Sequence, residues 1–231
     1  MIILITGSRK GIGRYLCEEY LADGHTVIGC SRMESDLVDN NYSHYLVDMT
    51  VDHQVHAFAK SIYKKYGRID VLINNAGAAS MNHFMMTPMD TVRNLMDINY
   101  ISALLATKEF MRCLRKSDHG RVVNFTTVAV PLNLEGELAY SSSKAAIEEM
   151  TKIMSKEAAV YGVTVNAIGP TPIHTDLTAS VPEEKINRIL SSQAIHRFGN
   201  FEDIKNVIDF FVDPKSDFVT GQILYLGGIN R

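Results

Sequence analysis

The residues from Ile2 to Ile5 are all apolar, and they run into Thr6-Gly7-Ser8-Arg9-Lys10-Gly11-Ile12-Gly13. A helical stretch from Arg14 to Ala22 follows and stops at Asp23-Gly24. A buried strand, a glycine turn and a helix in immediate succession leave the chain few folds to choose from. The glycines let backbone N–H groups come close to a ligand, and the N-terminus of the helix behind them favours negative charge. The segment is therefore predicted to open a βαβ unit whose turn cradles the pyrophosphate of a dinucleotide.

The rest of the chain repeats the alternation. Apolar runs predicted as strands lie at 2–6, 26–30, 44–47, 69–73, 121–126, 163–168 and 222–226, with helical stretches such as 51–66, 100–115 and 138–161 between them. Alternation of this kind predicts a parallel sheet covered on both faces, with its ligand crevice at the carboxyl ends of the strands. The 231 residues, 46% of them hydrophobic, are enough for one substantial core, and no linker or repeat interrupts them, so one domain spanning 1–231 is expected. Only 175–200 breaks the pattern, with a proline-led helical patch at 182–190. A net charge of −3 without a Lys/Arg-rich block argues against a nucleic-acid partner. No apolar run reaches the ~18 residues of a membrane span. With a strand starting at residue 2, no signal peptide is expected. Three cysteines, odd in number and far apart, are expected to be buried thiols in a reducing cytoplasm, neither disulfides nor metal ligands. His53 and His56 lack a third ligand and are expected on the surface.

Tyr140 and Lys144 stand four residues apart at the head of the stretch 138–161. One helical turn holds about 3.6 residues, so both side chains leave the same face and converge on one site. Bringing a tyrosine from a pKa of roughly 10 to about 7 takes roughly 4 kcal/mol of preference for the phenolate. A lysine cation at about 4 Å supplies about that much at an effective dielectric of 20. The pair is a candidate acid/base couple in which Lys144 lowers the pKa of Tyr140.

The order of Thr-Gly-x-x-x-Gly-Ile-Gly at 6–13, Asn74-Asn75-Ala76-Gly77, Asp97-Ile98-Asn99 and Tyr140-Ser141-Ser142-Ser143-Lys144 resembles the short-chain dehydrogenase/reductase family. Gly221-Gln222-Ile223 through Gly227-Gly228 looks like that family's last strand and its exit, so the resemblance covers essentially the whole chain. Arg197-Phe198-Gly199 and Glu202-Asp203-Ile204 are most similar to the 3-oxoacyl-carrier-protein reductase branch. The resemblance implies a Rossmann fold with a doubly wound, seven-stranded parallel sheet, a nicotinamide cofactor, and a substrate-covering lid at about 175–200. It also implies a homotetramer or homodimer.

By the same resemblance, the cofactor would contact Gly7, Ser8, Arg9, Lys10, Gly11, Ile12 and Gly13 in the first turn. NAD-preferring relatives carry an acid at the position of Ser31, where it holds the ribose hydroxyls and repels a 2′-phosphate. Here Ser31 is followed by Arg32, with Arg9 or Lys10 near the same ribose, so NADP(H) is expected over NAD(H). Asp48 and Met49 would meet the adenine, and Asn75, Ala76 and Gly77 the adenosine ribose, while Asn74 is expected to be structural. Pro170, Thr171, Ile173 and Thr175 would line the nicotinamide. Relatives usually have glycine at the position of Thr171, so backbone strain or a re-routed loop is expected there.

Relatives carry a serine thirteen residues before the tyrosine, and here that position is Thr127. The implied roles are Tyr140 as proton donor to a carbonyl oxygen and Thr127 as the group that orients and polarises that oxygen. Lys144 would hold the nicotinamide ribose, and Asn99 would anchor a water that resupplies protons. The implied activity is reduction of a ketone or 3-oxoacyl-type carbonyl, possible as a thioester, or the reverse oxidation. The alternative is a cofactor-binding regulatory or scaffold protein without turnover, for which Thr127 and Thr171 speak. Met81, Phe84, Met85, Met86, Met89 and Met96 are either a substrate wall or packing residues, and Leu132, Leu134 and Leu138 are candidates for the opposite wall. No basic cluster singles out a carrier protein; Arg121 and Lys185 are the isolated candidates.

Overall fold

In the computed structural model, which describes residues 1–175, 178 and 181–229, seven strands form one all-parallel sheet. They are β1 (Ile2–Thr6), β2 (Thr26–Ser31), β3 (Tyr42–Leu46), β4 (Val71–Asn74), β5 (Arg121–Phe125), β6 (Thr164–Gly169) and β7 (Ile223–Tyr225), in the order β3-β2-β1-β4-β5-β6-β7. The order reverses between β1 and β4, and the connections there leave to opposite sides and open a crevice at the carboxyl ends of the strands.

Eight α-helices are described: α1 (Gly11–Ala22), α2 (Asp52–Tyr66), α3 (Met89–Met96), α4 (Ser102–Leu114), α5 (Ala129–Leu132), α6 (Leu138–Ala158), α7 (Glu183–Ser192) and α8 (Phe201–Val212). Side chains alternate along a strand, and β1 uses both faces. Leu4 packs with Val55 and Phe58 of α2, Phe110 of α4 and Ala158 of α6. Ile3 and Ile5 pack on the other face with Leu16 and Tyr20 of α1 and Ile208 and Phe211 of α8. Burial on both sides is why the central strands read as unbroken apolar runs.

Boundaries moved where local signals were weak. Helix α1 begins at Gly11, three residues before the expected Arg14, because the glycine turn runs directly into helical geometry. The single helix expected at 100–115 is instead a π-helical turn, Asp97–Ile101, leading into α4. Helices α3 and α8 were not anticipated, although Asn200 and Asp203 form a capping box at the start of α8. In the expected lid, α7 starts just after Pro182, and a parallel bridge between Ile173 and Gly199 ties the ends of the segment together. Residues 176, 177, 179 and 180 of that lid lie outside the described residues. The three cysteines are buried and free, as expected, and His56 is an exposed residue paired with Glu109. No helix among the described residues is long and apolar enough to cross a membrane.

Candidate active site

The crevice is one cleft of about 1100 Å³ that runs from Arg14 and Arg32 at one end to Tyr140, Ile186 and Ile189 at the other. Its first part is the glycine turn. Gly7 has φ +68°, and a Cβ on Gly13 would collide with the Gly7 carbonyl, so turn and helix can approach only without side chains. Asn75 braces the turn by donating from Nδ2 to the carbonyls of Thr6 (2.9 Å) and Gly7 (3.1 Å). The side chain of Asn75 is thus a strut. Asn74, donating to Thr107 and Asn124, is structural as expected. No side chain caps α1 and no acid stands in its first turn. Among the described residues its leading N–H groups thus have no side-chain acceptor, which suits a pyrophosphate.

At the end expected to take the adenosine ribose, Arg9, Lys10, Ser31 and Arg32 all line the cleft. Ser31 donates to the carbonyl of Met33 at 2.6 Å and meets Nε2 of His44 at 3.1 Å. Arg14, not singled out from sequence, stands beside them and is engaged by Glu18 and Asp36. Asp48 accepts from both the N–H and the hydroxyl of Thr50, so its carboxylate fixes the loop after β3. Asp48, Met49, Ala76, Gly77, Pro170, Thr171, Ile173 and Thr175 also line the cleft; Ser8 and Gly13 support it from behind, Ser8 wholly buried. The residues present fit a dinucleotide along its whole length.

Thr171 corrects an expectation. Among the described residues Asn133 alone has a positive φ without being glycine, so Thr171 carries no left-handed strain. Its side chain is buried where Gly199 and Gly227 leave space: a Cβ on either would come within 3.0 Å of it. The missing glycine is balanced by small residues opposite.

Helix α6 brings the reacting groups together. Glu137 at its N-terminal boundary, then Tyr140, Lys144, Glu148, Thr151 and Ser155, form a buried polar stripe at helical spacing. Glu137, Tyr140 and Lys144 of this stripe line the cleft, whereas Glu148 and Thr151 bond to residues at β5 and β7. Tyr140 and Thr127 both line the cleft and are both nearly buried. Thr127 accepts from the Ala129 N–H at 3.2 Å through its hydroxyl oxygen, which leaves the hydroxyl proton to be donated. Lys144 donates from Nζ to the carbonyl of Phe125 at 2.8 Å. Asn99 sits in the wide turn before α4. Its side chain accepts from the Ala78 N–H (2.8 Å) and donates to the Ala78 carbonyl and to Ser143 Oγ (2.9 Å each).

Burial governs the electrostatics of this pair. Burial pushes the Tyr140 phenol up to about 12, against a hydrogen bond with Thr127 that pulls it down. Burial likewise drives the Lys144 ammonium down to about 8. Desolvation opposes charge on both groups and is the leading influence on each.

Residues 1–186 match the short chain dehydrogenase family. The chain belongs to that family. It is 29% identical to the 3-oxoacyl-acyl-carrier-protein reductase of Vibrio cholerae, over 98% of this chain and 96% of the relative. It is 30% identical to the enzyme of the same name from Aquifex aeolicus, with the same coverage. Among solved structures, the ligand-free aldohexose dehydrogenase of Thermoplasma acidophilum superposes with a TM-score of 0.88 at 28% identity, covering 99% of this chain and 93% of that one. A short chain dehydrogenase of Leptospira borgpetersenii with bound NAD+ superposes equally well at 24% identity and attests the fold.

In this short-chain dehydrogenase the substrate end of the cleft differs from the sequence expectation. Leu134, Val128, Val181, Ile186 and Ile189 line it. Phe84, Met85, Met86 and Met89 stand outside it and are exposed, as is Leu138. Arg121 is excluded as a contact for a carrier: it is buried at the start of β5, at the opposite end of the sheet from the cleft. Glu137, Thr126, Ser143, Glu148 and Thr178 went unnoticed in the sequence. The first four fall at or near a 3-4-4 spacing around Tyr140, or next to Thr127, and that spacing was the available signal.

Proposed function

We propose that this protein is an NADP(H)-dependent carbonyl reductase that converts a ketone or 3-oxoacyl-type carbonyl to an alcohol, or runs the reverse reaction. The convergence of Thr127, Tyr140 and Lys144 at the end of an open dinucleotide groove carries this reading. Bound in the groove, the cofactor supplies a hydride to the carbonyl carbon. Thr127 donates to the carbonyl oxygen, since its own oxygen is already held by Ala129. Tyr140, held neutral by burial, transfers its proton to that oxygen as negative charge develops there. The products are an alcohol and the oxidised cofactor, and the phenolate left behind is reprotonated from solvent. Lys144 stabilises that phenolate and holds the ribose. Both amide protons of Asn99 are engaged, so a relay water is anchored by its main chain.

The 2′-phosphate preference is supported by Arg32, Arg9 and Lys10 on one rim of the groove and by the absence of a carboxylate at Ser31. The relatives' names span 3-oxoacyl thioesters and an aldohexose, so substrate class is decided by the pocket. Thr127 and Thr171 no longer favour a non-catalytic scaffold, because both fit their surroundings. The test is oxidation of NADPH and NADH over a panel of ketones, hydroxyketones, 3-oxoacyl thioesters and quinones. Cofactor binding without turnover of any of them would overturn the reading.

The assembly is proposed to be a homotetramer built on α4 and α6. Ile147 and Met150 are buried within the chain beside Ala103. The contact therefore rests on the partly exposed Leu104 and on Ile153, and light scattering decides between monomer, dimer and tetramer.

A further inference from the structure

Glu137 lies three residues before Tyr140, is only 8% exposed, and lines the same cleft as Tyr140, Thr127 and Leu134. An acidic side chain at the N-terminal boundary of a helix ordinarily accepts from the first-turn N–H groups. Glu137 makes no such bond, and no other group among the described residues donates to its carboxyl. Lys185 on α7 acts on it electrostatically. That ammonium is nevertheless engaged elsewhere, by Met81 Sδ at 3.2 Å and the Glu135 carbonyl at 3.3 Å. Tyr140 is the other titratable group beside it, and is neutral. A carboxyl on a largely buried side chain that opens only onto a ligand cleft and accepts from no protein group is placed to accept from a ligand.

We propose that Glu137 is a specificity-determining residue that accepts a hydrogen bond from a hydroxyl next to the reacting carbonyl, so that the substrates are hydroxy-carbonyl compounds. The proposal rests on the reductase reading of the same site and names its substrate class. One helical turn separates Glu137 from Tyr140, so the group it meets lies within a carbon or two of the atom that Tyr140 protonates. A 3-oxoacyl thioester offers only a CH2 and acceptor oxygens there, which would set lone pairs against the carboxyl oxygens. A hydroxyl supplies the missing donor.

The test uses matched probes with NADPH: 2-hydroxycyclohexanone, cyclohexanone and acetoacetyl-CoA, in wild type, Glu137→Gln and Glu137→Leu. Wild type is expected to show a kcat/KM at least tenfold higher for the hydroxyketone than for either other probe. Glu137→Leu should bring the hydroxyketone-to-ketone ratio close to one. Glu137→Gln, whose amide oxygen still accepts, should keep part of the preference. Ratios within one variant cancel any loss of folded protein. Calorimetry of trans-cyclohexane-1,2-diol and cyclohexanol with the enzyme–NADPH complex, in which neither alcohol can be oxidised, gives a readout independent of turnover, and the diol should bind at least tenfold more tightly to wild type only. A wild-type ratio near one, a ratio unchanged in Glu137→Leu, or a preference for the thioester would each overturn the proposal. Absence of turnover with the diol preference intact would instead remove the reductase reading and leave this site standing.

Discussion

The Tyr225 hydroxyl on β7 donates to Oε1 of Glu148 at 2.5 Å, and Thr126, next to Thr127, donates to the same oxygen at 2.8 Å. One wholly buried carboxyl thus links β7, the end of β5 and the centre of α6, one turn beyond Lys144. Tyr225→Phe deletes a single hydroxyl and should cost about 1–3 kcal/mol of stability, read as a lowered Tm. Because the network positions the backbone that carries Thr127, kcat should fall while the Kd for NADPH stays constant. A variant with wild-type Tm and kcat would show that the bond contributes nothing.

Tyr140→Phe removes the group aimed at the carbonyl oxygen and should lower kcat by at least the ~10²–10⁴-fold typical of general acid catalysis. Thr127→Ala should cost about 10²–10³-fold, as for one oxyanion donor. Thr127→Ser keeps the hydroxyl and removes only a methyl, so activity on bulky ketones should be retained or raised. Full activity in Thr127→Ala would mean that another group polarises the carbonyl.

The titration of the pair separates two pictures of the site. With Tyr140 near 12, the phenol is protonated through the neutral range. The kcat/KM for reduction should then be flat from about pH 6 to 7.5 and decline only above about pH 8, where Lys144 loses its charge, while alcohol oxidation, which needs the phenolate, should rise with pH. A reduction profile that falls with an apparent pKa near 7 would restore the stronger lysine effect expected from sequence.

Lys144 makes a second pH-dependent contribution. Its folded value of about 8 lies below its ordinary one, so between roughly pH 8 and 10 the unfolded chain binds more protons than the folded chain, and stability rises with pH. The stability cost of Lys144 is full below pH 8. Lys144→Met should therefore gain Tm relative to wild type most at pH 7.5, with the difference shrinking toward pH 10, as thermal melts of the cofactor-free proteins will show.

Cofactor choice is tested at the groove's rim. Ser31→Asp/Arg32→Ala places a carboxylate where the 2′-phosphate is expected and removes a cation, so kcat/KM should shift from NADPH toward NADH by at least tenfold. Equal use of both cofactors by wild type would sink the assignment.

The fold was legible in the sequence because its signals are local. Ile2 to Thr6 appears as β1 with the expected bounds, and the glycine turn and the Tyr140–Lys144 spacing fix a groove and a helix face through backbone geometry alone. The family's motifs carried the same information to Thr127 and Asn99. Tertiary structure alone decided the energetics. A 3.6-residue period puts Tyr140 and Lys144 on one helix face, but only packing reveals that both are buried, so that desolvation governs both. Thr171 looked strained as a sequence departure, yet Gly199 and Gly227, distant in the chain, make room for it. The polar partners of Glu148 come from β5 and β7, far from α6 in sequence. Glu137 carries no motif in the sequence, and only the folded chain sets it, largely buried, on the cleft with no protein donor. Burial and long-range partnership are properties of the assembled core, and no window of neighbouring residues contains them.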